Sequence, residues 1–340
     1  MTGLDFDLPD TLEATAPPPR RDRVRLLVAD RTGIHHERFD AIAQFLAPGD
    51  LLVVNTSATL AAAVDGRRRD GRVVTVHFST ALDDGAWLVE LRPPVNATGP
   101  LRDVTAGERI ELPDGVQLTV LAPYRASESN PRLWRATVGV EGGVANFLAR
   151  AGRPIRYTYV ADPYPLGDYQ TVFARQPGSA EMPSAGRPFT PEIVTDLVAR
   201  GVVVAPILLH TGVSSQENGE APLPERFEVP PITARLADLT RRSGGRVVAV
   251  GTTVTRALEA ATDLDGTVQA RVGWTDLVLG PERPARVVGG LVTGWHAPGA
   301  SHLQLLEAVA GPGLVARAYA AALRHRYLWH EFGDSCLLLP

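Results

Sequence analysis

Four polar sites follow apolar runs in this sequence: Asn55-Thr56-Ser57, His210, Thr252-Thr253 and, a little beyond its run, His296. A histidine so placed can act as a general base or as a donor to developing charge, a role worth about 10²–10⁴ in rate. The plainer alternative is a histidine that caps a strand end by hydrogen bonds. Residues 245–259, Gly-Arg-Val-Val-Ala-Val-Gly-Thr-Thr-Val-Thr-Arg-Ala-Leu-Glu, read as strand, turn and helix. A β-branched run lies between glycines, Gly251-Thr252-Thr253 signals a turn and N-cap, and Val254, Ala257, Leu258 and Ala261 recur at helical spacing. The unpaired N–H groups of such a helix start, beside two threonine hydroxyls, suit a carboxylate or phosphate. The electrostatic part of that attraction is small, about 0.3–1 kcal/mol at an exposed helix end. Arg256 and Glu259, three apart, form either a surface ion pair or a pair that reaches toward a ligand.

These sites converge on one crevice only if their strands lie side by side. The chain opens with a proline-rich arm that cannot be helical. A strand at 25–30, a turn at Thr32-Gly33, a short helix through Phe39, Ile42, Ala43 and Leu46, and a buried strand at 51–54 follow. From about 64 to 140 the texture changes to five or six short alternating runs separated by Asp/Gly/Pro turns, the pattern of a small antiparallel barrel. A helix at 144–151 and an irregular Tyr/Pro/Gly-rich stretch at 157–187 come next, and a loop that long is more often functional than idle. Alternation of helix and strand then resumes. Helices are expected at 191–200, 233–243, 301–310 and 314–327, and strands at 202–209, near 276–279, at 287–293 and at the carboxyl end; 214–231 reads as a polar loop. The expected fold class is α/β: a layered α/β domain of residues 1–63 and 152–340 that carries the site, with an inserted small antiparallel β-barrel domain at 64–151.

The chain has 340 residues, 44% hydrophobic and 21% charged, enough for one large domain or two ordinary ones. All 34 basic residues are arginine, which reflects composition bias, and the net charge of −4 gives no global pull toward nucleic acid. The single cysteine, Cys336, excludes an internal disulfide and a multi-cysteine zinc site. His35-His36, His325 and His330 do not supply a zinc spacing, so no metal is expected. There is no dinucleotide-binding glycine fingerprint, no phosphate-binding P-loop and no nucleophile elbow. No long apolar span or signal peptide opens the chain, so a cytoplasmic protein without a membrane partner is the expectation, with a monomer as default.

The order of motifs resembles one family. Phe6-Asp7-Leu8-Pro9, Pro48-Gly49-Asp50-Leu51-Leu52-Val53-Val54-Asn55, Asp168-Tyr169-Gln170-Thr171-Val172-Phe173, Ala185-Gly186, Leu209-His210 with Gly212, Val250-Gly251-Thr252-Thr253 with Arg256 and Leu258-Glu259, Thr293 with His296, and Gly333-Asp334 occur in the order seen in S-adenosylmethionine:tRNA ribosyltransferase-isomerases of queuosine biosynthesis. The resemblance spans essentially the whole chain. It implies an α/β domain with an inserted barrel, S-adenosylmethionine as co-substrate and tRNA as partner. In that family the aminomethyl group of a 7-deazaguanine base attacks the sugar, methionine and adenine leave, and the ribose is rearranged to an epoxycyclopentanediol. Carried onto this chain, it implies catalytic roles for His210, His296, Glu225 and Asp334. It implies substrate binding by Asn55, Tyr169, Gln170, Thr171, Gly251, Thr252, Thr253, Arg256 and Glu259. His210 or His296 suits the base, and the Gly251-Thr252-Thr253 helix start with Arg256 suits the methionine carboxylate.

The chain also departs from the family's pattern. Asn-Asp-Thr-Arg-Val-Ile-Pro-Ala-Arg is here Asn55-Thr56-Ser57-Ala58-Thr59-Leu60-Ala61-Ala62-Ala63, and Pro-Thr-Ala-Gly-Leu-His-Phe-Thr is Pro183-Ser184-Ala185-Gly186-Arg187-Pro188-Phe189-Thr190. His-x-Met-His-Ser-Glu shrinks to Ala221-Pro222-Leu223-Pro224-Glu225, and Thr-Asn-Phe-His-Leu-Pro-Lys-Ser-Thr becomes Thr293-Gly294-Trp295-His296-Ala297-Pro298-Gly299-Ala300-Ser301. Lost arginine and lysine are lost phosphate contacts, and lost histidines are lost acid–base candidates. The departures mark a divergent member. They keep two alternatives beside the tRNA activity: a paralogue with a small-molecule acceptor, and a binding protein without catalysis. Arg67-Arg68-Arg69 and Arg20-Arg21 are the candidates for a tRNA face.

Overall fold

The Leu51-Leu52-Val53-Val54 run is apolar on both faces of its strand, because successive side chains point to opposite sides. Leu51 and Val53 enter one buried cluster, Leu52 and Val54 another, so the strand must be covered on both faces. The computed structural model describes residues 4–94, 99–125, 131–213 and 223–340, and its architecture follows from that demand.

β1 (Arg25–Asp30) pairs antiparallel with β2 (Ile34–Arg38), a short 3₁₀ helix spans Phe39–Gln44, and β3 (Leu51–Asn55) leads through β4 (Ser57–Thr59) toward the barrel. Sequence reading missed β2, whose Ile-His-His-Glu-Arg has no apolar face and forms an exposed sheet edge. The barrel is closed by β5 (Ala63–Arg68), β6 (Val73–Ala81), β7 (Trp87–Arg92), β8 (Arg109–Glu111), β9 (Gln117–Pro123) and β10 (Leu133–Gly139), in the order β10-β7-β6-β5-β8-β9 with all pairs antiparallel. Closure removes free edges and fills the interior with inward residues such as Val64, Val76, Phe78, Val89, Ile110 and Leu118. The five runs seen in the sequence are β6 to β10. β5 escaped because it ends in Gly66-Arg67-Arg68, and Arg68 is buried there against Asp103 and Glu108. Arg68 is therefore part of the barrel's own structure, which corrects its candidacy for a nucleic-acid face.

After α1 (Val144–Ala151), the irregular stretch forms β11 (Gln176–Ser179), parallel to β4. Then come α2 (Pro191–Ala199), β12 (Val203–Leu209), β13 (Glu225–Val229), α3 (Pro231–Arg242), β14 (Val247–Val250), α4 (Thr252–Ala260), β15 (Arg271–Thr275), β16 (Gly290–Thr293), α5 (Ser301–Ala310), α6 (Pro312–Arg324) and β17 (Ser335–Leu339). The expected polar loop at 214–231 is corrected in its second half, where β13 pairs with β12 and β15; residues 214–222 lie outside the described ones. The strand expected near 276–279 is β15 at 271–275, an exposed edge whose Val272 faces solvent, while Leu279 is buried from a loop. The last helix stops at Arg324, because Arg326 takes a positive φ of 53° and turns the chain.

The main sheet has nine strands in the order β15-β13-β12-β3-β14-β16-β17-β1-β2. Its centre, β12-β3-β14-β16, is parallel throughout. α3 to α6 cover the face bearing Leu51, Val53, Ala249 and Leu291. The Phe39–Gln44 turn, Phe189 and α2 cover the face bearing Leu52, Val54, Val248 and Val292. Four parallel strands therefore end on the same side, where an open α/β sheet leaves its crevice. Among the described residues, no helix is long and apolar enough to cross a membrane.

Candidate active site

The crevice is a cavity of about 490 Å³. Residues just past all four central strands line it: Thr211 and Gly212 after β12, Thr59 after β3, Gly251 to Thr253 after β14, and His296 after β16. Other parts of its wall come from the chain leaving the barrel (Tyr157, Tyr159), from Tyr169 and Glu181, and from His302, His330 and Glu331.

At the β14–α4 junction Gly251 has φ 96° and ψ 159°, a conformation that is essentially glycine-only. Gly251 itself holds the N-cap position, and no side chain caps the helix. Thr252 and Thr253 are the first two helical residues and line the cavity, at a helix start whose first N–H groups have no intrahelical partner. Arg256 lines it too, but four of its five N–H donors are engaged by the protein. It pairs with Glu225 and donates to the carbonyls of Leu277 (3.1 Å), Thr275 (3.2 Å) and Leu223 (3.3 Å). Arg256 thus ties α4 to β13 and β15, and the expected pairing with Glu259 is corrected. Glu259 is buried outside the cavity lining, where its carboxylate accepts the backbone N–H groups of Arg286, Val287 and Val288 at 2.9–3.0 Å. It fixes the loop before β16, away from the cavity where the sequence reading had it reach a substrate. Glu225 lies in the cavity wall, its carboxyl pushed up by burial and held down by Arg256.

Asn55, Gln170 and Thr171 are likewise consumed by the scaffold. Asn55 donates to Leu209 O (2.8 Å) and accepts from the N–H groups of Leu209 and Ser57 (3.0 Å each), stitching β3 to β12, with Thr253 Oγ1 at 3.4 Å. Gln170 exchanges two hydrogen bonds with the Thr59 backbone, at 2.8 and 2.9 Å. Thr171 Oγ1 accepts from Phe173 N at 3.2 Å. None of the three is in the cavity lining. Tyr169 is, and its hydroxyl has no hydrogen-bond partner among the described residues.

The two histidines separate clearly. His210 sets its Nδ1 2.8 Å from Ser57 Oγ and packs its ring on Gly178, where a Cβ would fall 2.3 Å from the ring; it is not in the cavity lining. This is the strand-end capping alternative. His296 lines the cavity, stacked on His302 with ring centroids 4.7 Å apart and planes 13° apart. Thr293 Oγ1 lies 3.1 Å from Gly294 O and 3.0 Å from His296 Nε2; with its hydrogen given to Gly294 O, it accepts from His296 Nε2–H. That pattern leaves the lone pair on Nδ1. Burial holds His296 well below the usual imidazole range and His302 down to about 4, so both rings are neutral near pH 7.

Asp334 does not reach the cavity lining. Its carboxylate accepts from the backbone N of Arg25 (2.7 Å), from the Arg25 guanidinium (2.8 and 3.0 Å) and from Leu328 N (2.8 Å). It is a clamp beneath the turn that carries His330 and Glu331, which corrects its expected catalytic place. The polar groups of the cavity wall that sequence reasoning did not single out sit on that turn and opposite it. Tyr159 donates to Glu331 Oε2 at 2.5 Å, and Tyr157 donates to Glu181. The only hint was compositional, in the tyrosine-rich stretch at 157–187 and the polar residues before the last strand. Among the described residues no group of three or more His, Cys, Asp or Glu is placed to hold a metal ion.

Comparison with known proteins fits this layout. The sequence pattern of the family described as "Queuosine biosynthesis protein" matches residues 1–338. The S-adenosylmethionine:tRNA ribosyltransferase-isomerase of Symbiobacterium thermophilum is 36% identical over 351 aligned residues, covering 100% of this chain and 99% of the relative. The protein of the same name from Thermotoga maritima is 33% identical over 348, with the same coverage of each. The crystal structure of an S-adenosylmethionine tRNA ribosyltransferase from Thermotoga maritima matches with a TM-score of 0.55 at 29% identity, over 98% of this chain and 99% of that one. With the match running through sheet and barrel alike, this chain belongs to the queuosine biosynthesis protein family.

Proposed function

We propose that the chain transfers and isomerises the ribosyl moiety of S-adenosylmethionine onto a 7-deazaguanine base in tRNA, giving epoxyqueuosine with release of adenine and methionine. The observation that carries this reading is the end-to-end match to relatives of that name. The cavity at the ends of four parallel strands, lined by neutral imidazoles and a helix start, supports it.

The chemistry needs an anchor for the methionine carboxylate, a base near the acidified C5′ of the sulfonium sugar, and help for the departing adenine. The free N–H groups at Thr252 and Thr253 are the anchor. Arg256 contributes by holding that helix start against Glu225 and β15. His296 Nδ1 is the base. It is unprotonated at neutral pH, oriented by Thr293, and able to take a proton without first losing one. tRNA delivers the aminomethyl nucleophile, and S-adenosylmethionine is consumed as co-substrate. A tRNA-modifying role suits the cytoplasm.

The test is to incubate the protein with S-adenosylmethionine, with and without tRNA carrying the aminomethyl-deazaguanine base, and to follow adenine and methionine by mass spectrometry. Release that depends on the modified tRNA, with the matching mass gain on the nucleoside, is the expected result. Binding of S-adenosylmethionine with no tRNA-dependent release overturns the reading.

A further inference from the structure

We propose that Glu331, held by Tyr159, is the acid that hands a proton to the departing purine. The inference rests on the ribosyl-transfer reading above and adds to it a catalytic group on the turn before β17.

Tyr159 lies between Tyr157 (ring centroids 6.0 Å, planes 28°) and His330 (4.1 Å, 14°), so its hydroxyl cannot swing away from Glu331 Oε2. His330, which stacks on Tyr159 and has Glu13 at 3.3 Å, takes a positive φ of 72°. A non-glycine residue in that region is uncommon and marks a turn that its surroundings impose. Here Asp334 imposes it by closing the turn onto Leu328 N. Glu331 is thereby presented in the cavity wall within charge range of Glu181, Arg187 and Tyr169.

Burial pushes the Glu331 carboxyl up to about 7, against the Tyr159 hydrogen bond, which pulls it down. Near neutrality the group therefore holds a proton in a good fraction of molecules, as a general acid must. Tyr159 engages Oε2, which leaves Oε1 to carry the proton toward the purine in the proposed step. A protonated carboxyl offers one donor and one acceptor side by side, which matches adenine N7 next to its 6-amino group. As the C–N bond to the sugar breaks, its electron pair goes to the purine. The Oε1–H bond breaks in the same step and the proton bonds to N7, so adenine leaves neutral and Glu331 becomes a carboxylate. It regains its proton from solvent after product release.

The experiment compares wild type, Glu331→Gln and Tyr159→Phe in two assays. The first is turnover with S-adenosylmethionine and with its 8-azaadenine analogue, whose base departs more readily without protonation. The second is equilibrium binding of free adenine as a function of pH. Expected are a 10²–10⁴-fold fall in kcat for Glu331→Gln, in the range of a lost general acid, a much smaller fall with the analogue, and loss of the pH-dependent part of adenine binding. An equal fall with both substrates, or an unchanged adenine-binding profile, overturns the proposal. If wild type releases no adenine at all, the ribosyl-transfer reading fails, and the adenine-binding profile alone then decides whether Glu331 meets a purine.

Discussion

The Asp334 carboxylate accepts the backbone N–H of Leu328 at 2.8 Å while also gripping Arg25 at the head of β1. One buried side chain thus closes the turn that bears Glu331 and fastens it to the sheet. Asp334→Ala should cost on the order of 2–3 kcal/mol, somewhat below the 3–5 of a fully buried pair because Arg25 is half-exposed. Chemical denaturation measures this. Asp334→Asn, which keeps the shape and one acceptor oxygen, should recover a good part of it.

His296→Ala should lower kcat by about 10²–10⁴, the worth of a positioned base, with a small change in stability. His210→Ala should do the reverse. It empties the contact with Ser57 and Gly178 and lowers the melting temperature, while kcat falls less than tenfold. Equal kinetic losses for the two variants would remove the distinction between them.

Neutral His296 also fixes the acid side of the pH–rate profile. Its pKa is depressed by burial, so the base form persists below pH 6.5. Activity should therefore not fall at the ordinary imidazole pKa as pH is lowered. A loss of kcat/KM centred near 6.5 would contradict the role given to this ring.

Glu331 has the opposite sign. Its pKa is raised from 4.5 to about 7 in the folded protein, so between those values the unfolded chain ionises first and the folded state holds more protons. Its contribution to stability is complete below pH 4.5 and is lost as pH rises toward and through 7, a swing of about 3 kcal/mol by linkage. Since other groups titrate in the same window, the measurement is a difference. The stability of wild type minus that of Glu331→Gln should fall as pH goes from 4.5 to 7.5.

Gly251→Ala tests the turn after β14. At φ 96° and ψ 159° an alanine is strained, and its Cβ would meet that of Ala185 at 3.4 Å. A loss of about 1–3 kcal/mol is expected, together with weaker binding of S-adenosylmethionine because the first-turn N–H groups shift.

What could be seen in the sequence was what local pattern carries. An unbroken apolar run at 51–54 and glycine-bounded β-branched residues in 247–250 announced buried strands, and hairpin turns at Asp84-Gly85 and Asp114-Gly115 announced a barrel. From these the convergence of Thr252, Thr253 and His296 on one crevice followed. The partners of the polar residues did not. Glu259 was read with Arg256, because its three backbone donors lie 27–29 residues further on, and Tyr159 finds Glu331 across 172 residues. A side chain that binds a loop and one that binds a ligand have the same identity and spacing; only the fold separates them. β2 and β15 were misread for a related reason, since exposed edges need no apolar period.

β1 pairs in parallel with β17, so Leu26 waits for Ser335, which a ribosome adds 309 residues later. Until then β1 has only the β2 side of its ladder to pair with, while every strand of the barrel has already emerged. Chain growth therefore imposes an order. The barrel can close on the nascent chain, whereas the sheet stays open between β16 and β1 until the last strand arrives. The turn bearing Glu331 immediately precedes that strand. Nascent chains arrested before it should show a protease-resistant barrel beside an incomplete cavity, and the acid proposed for the purine would be in place only as synthesis ends.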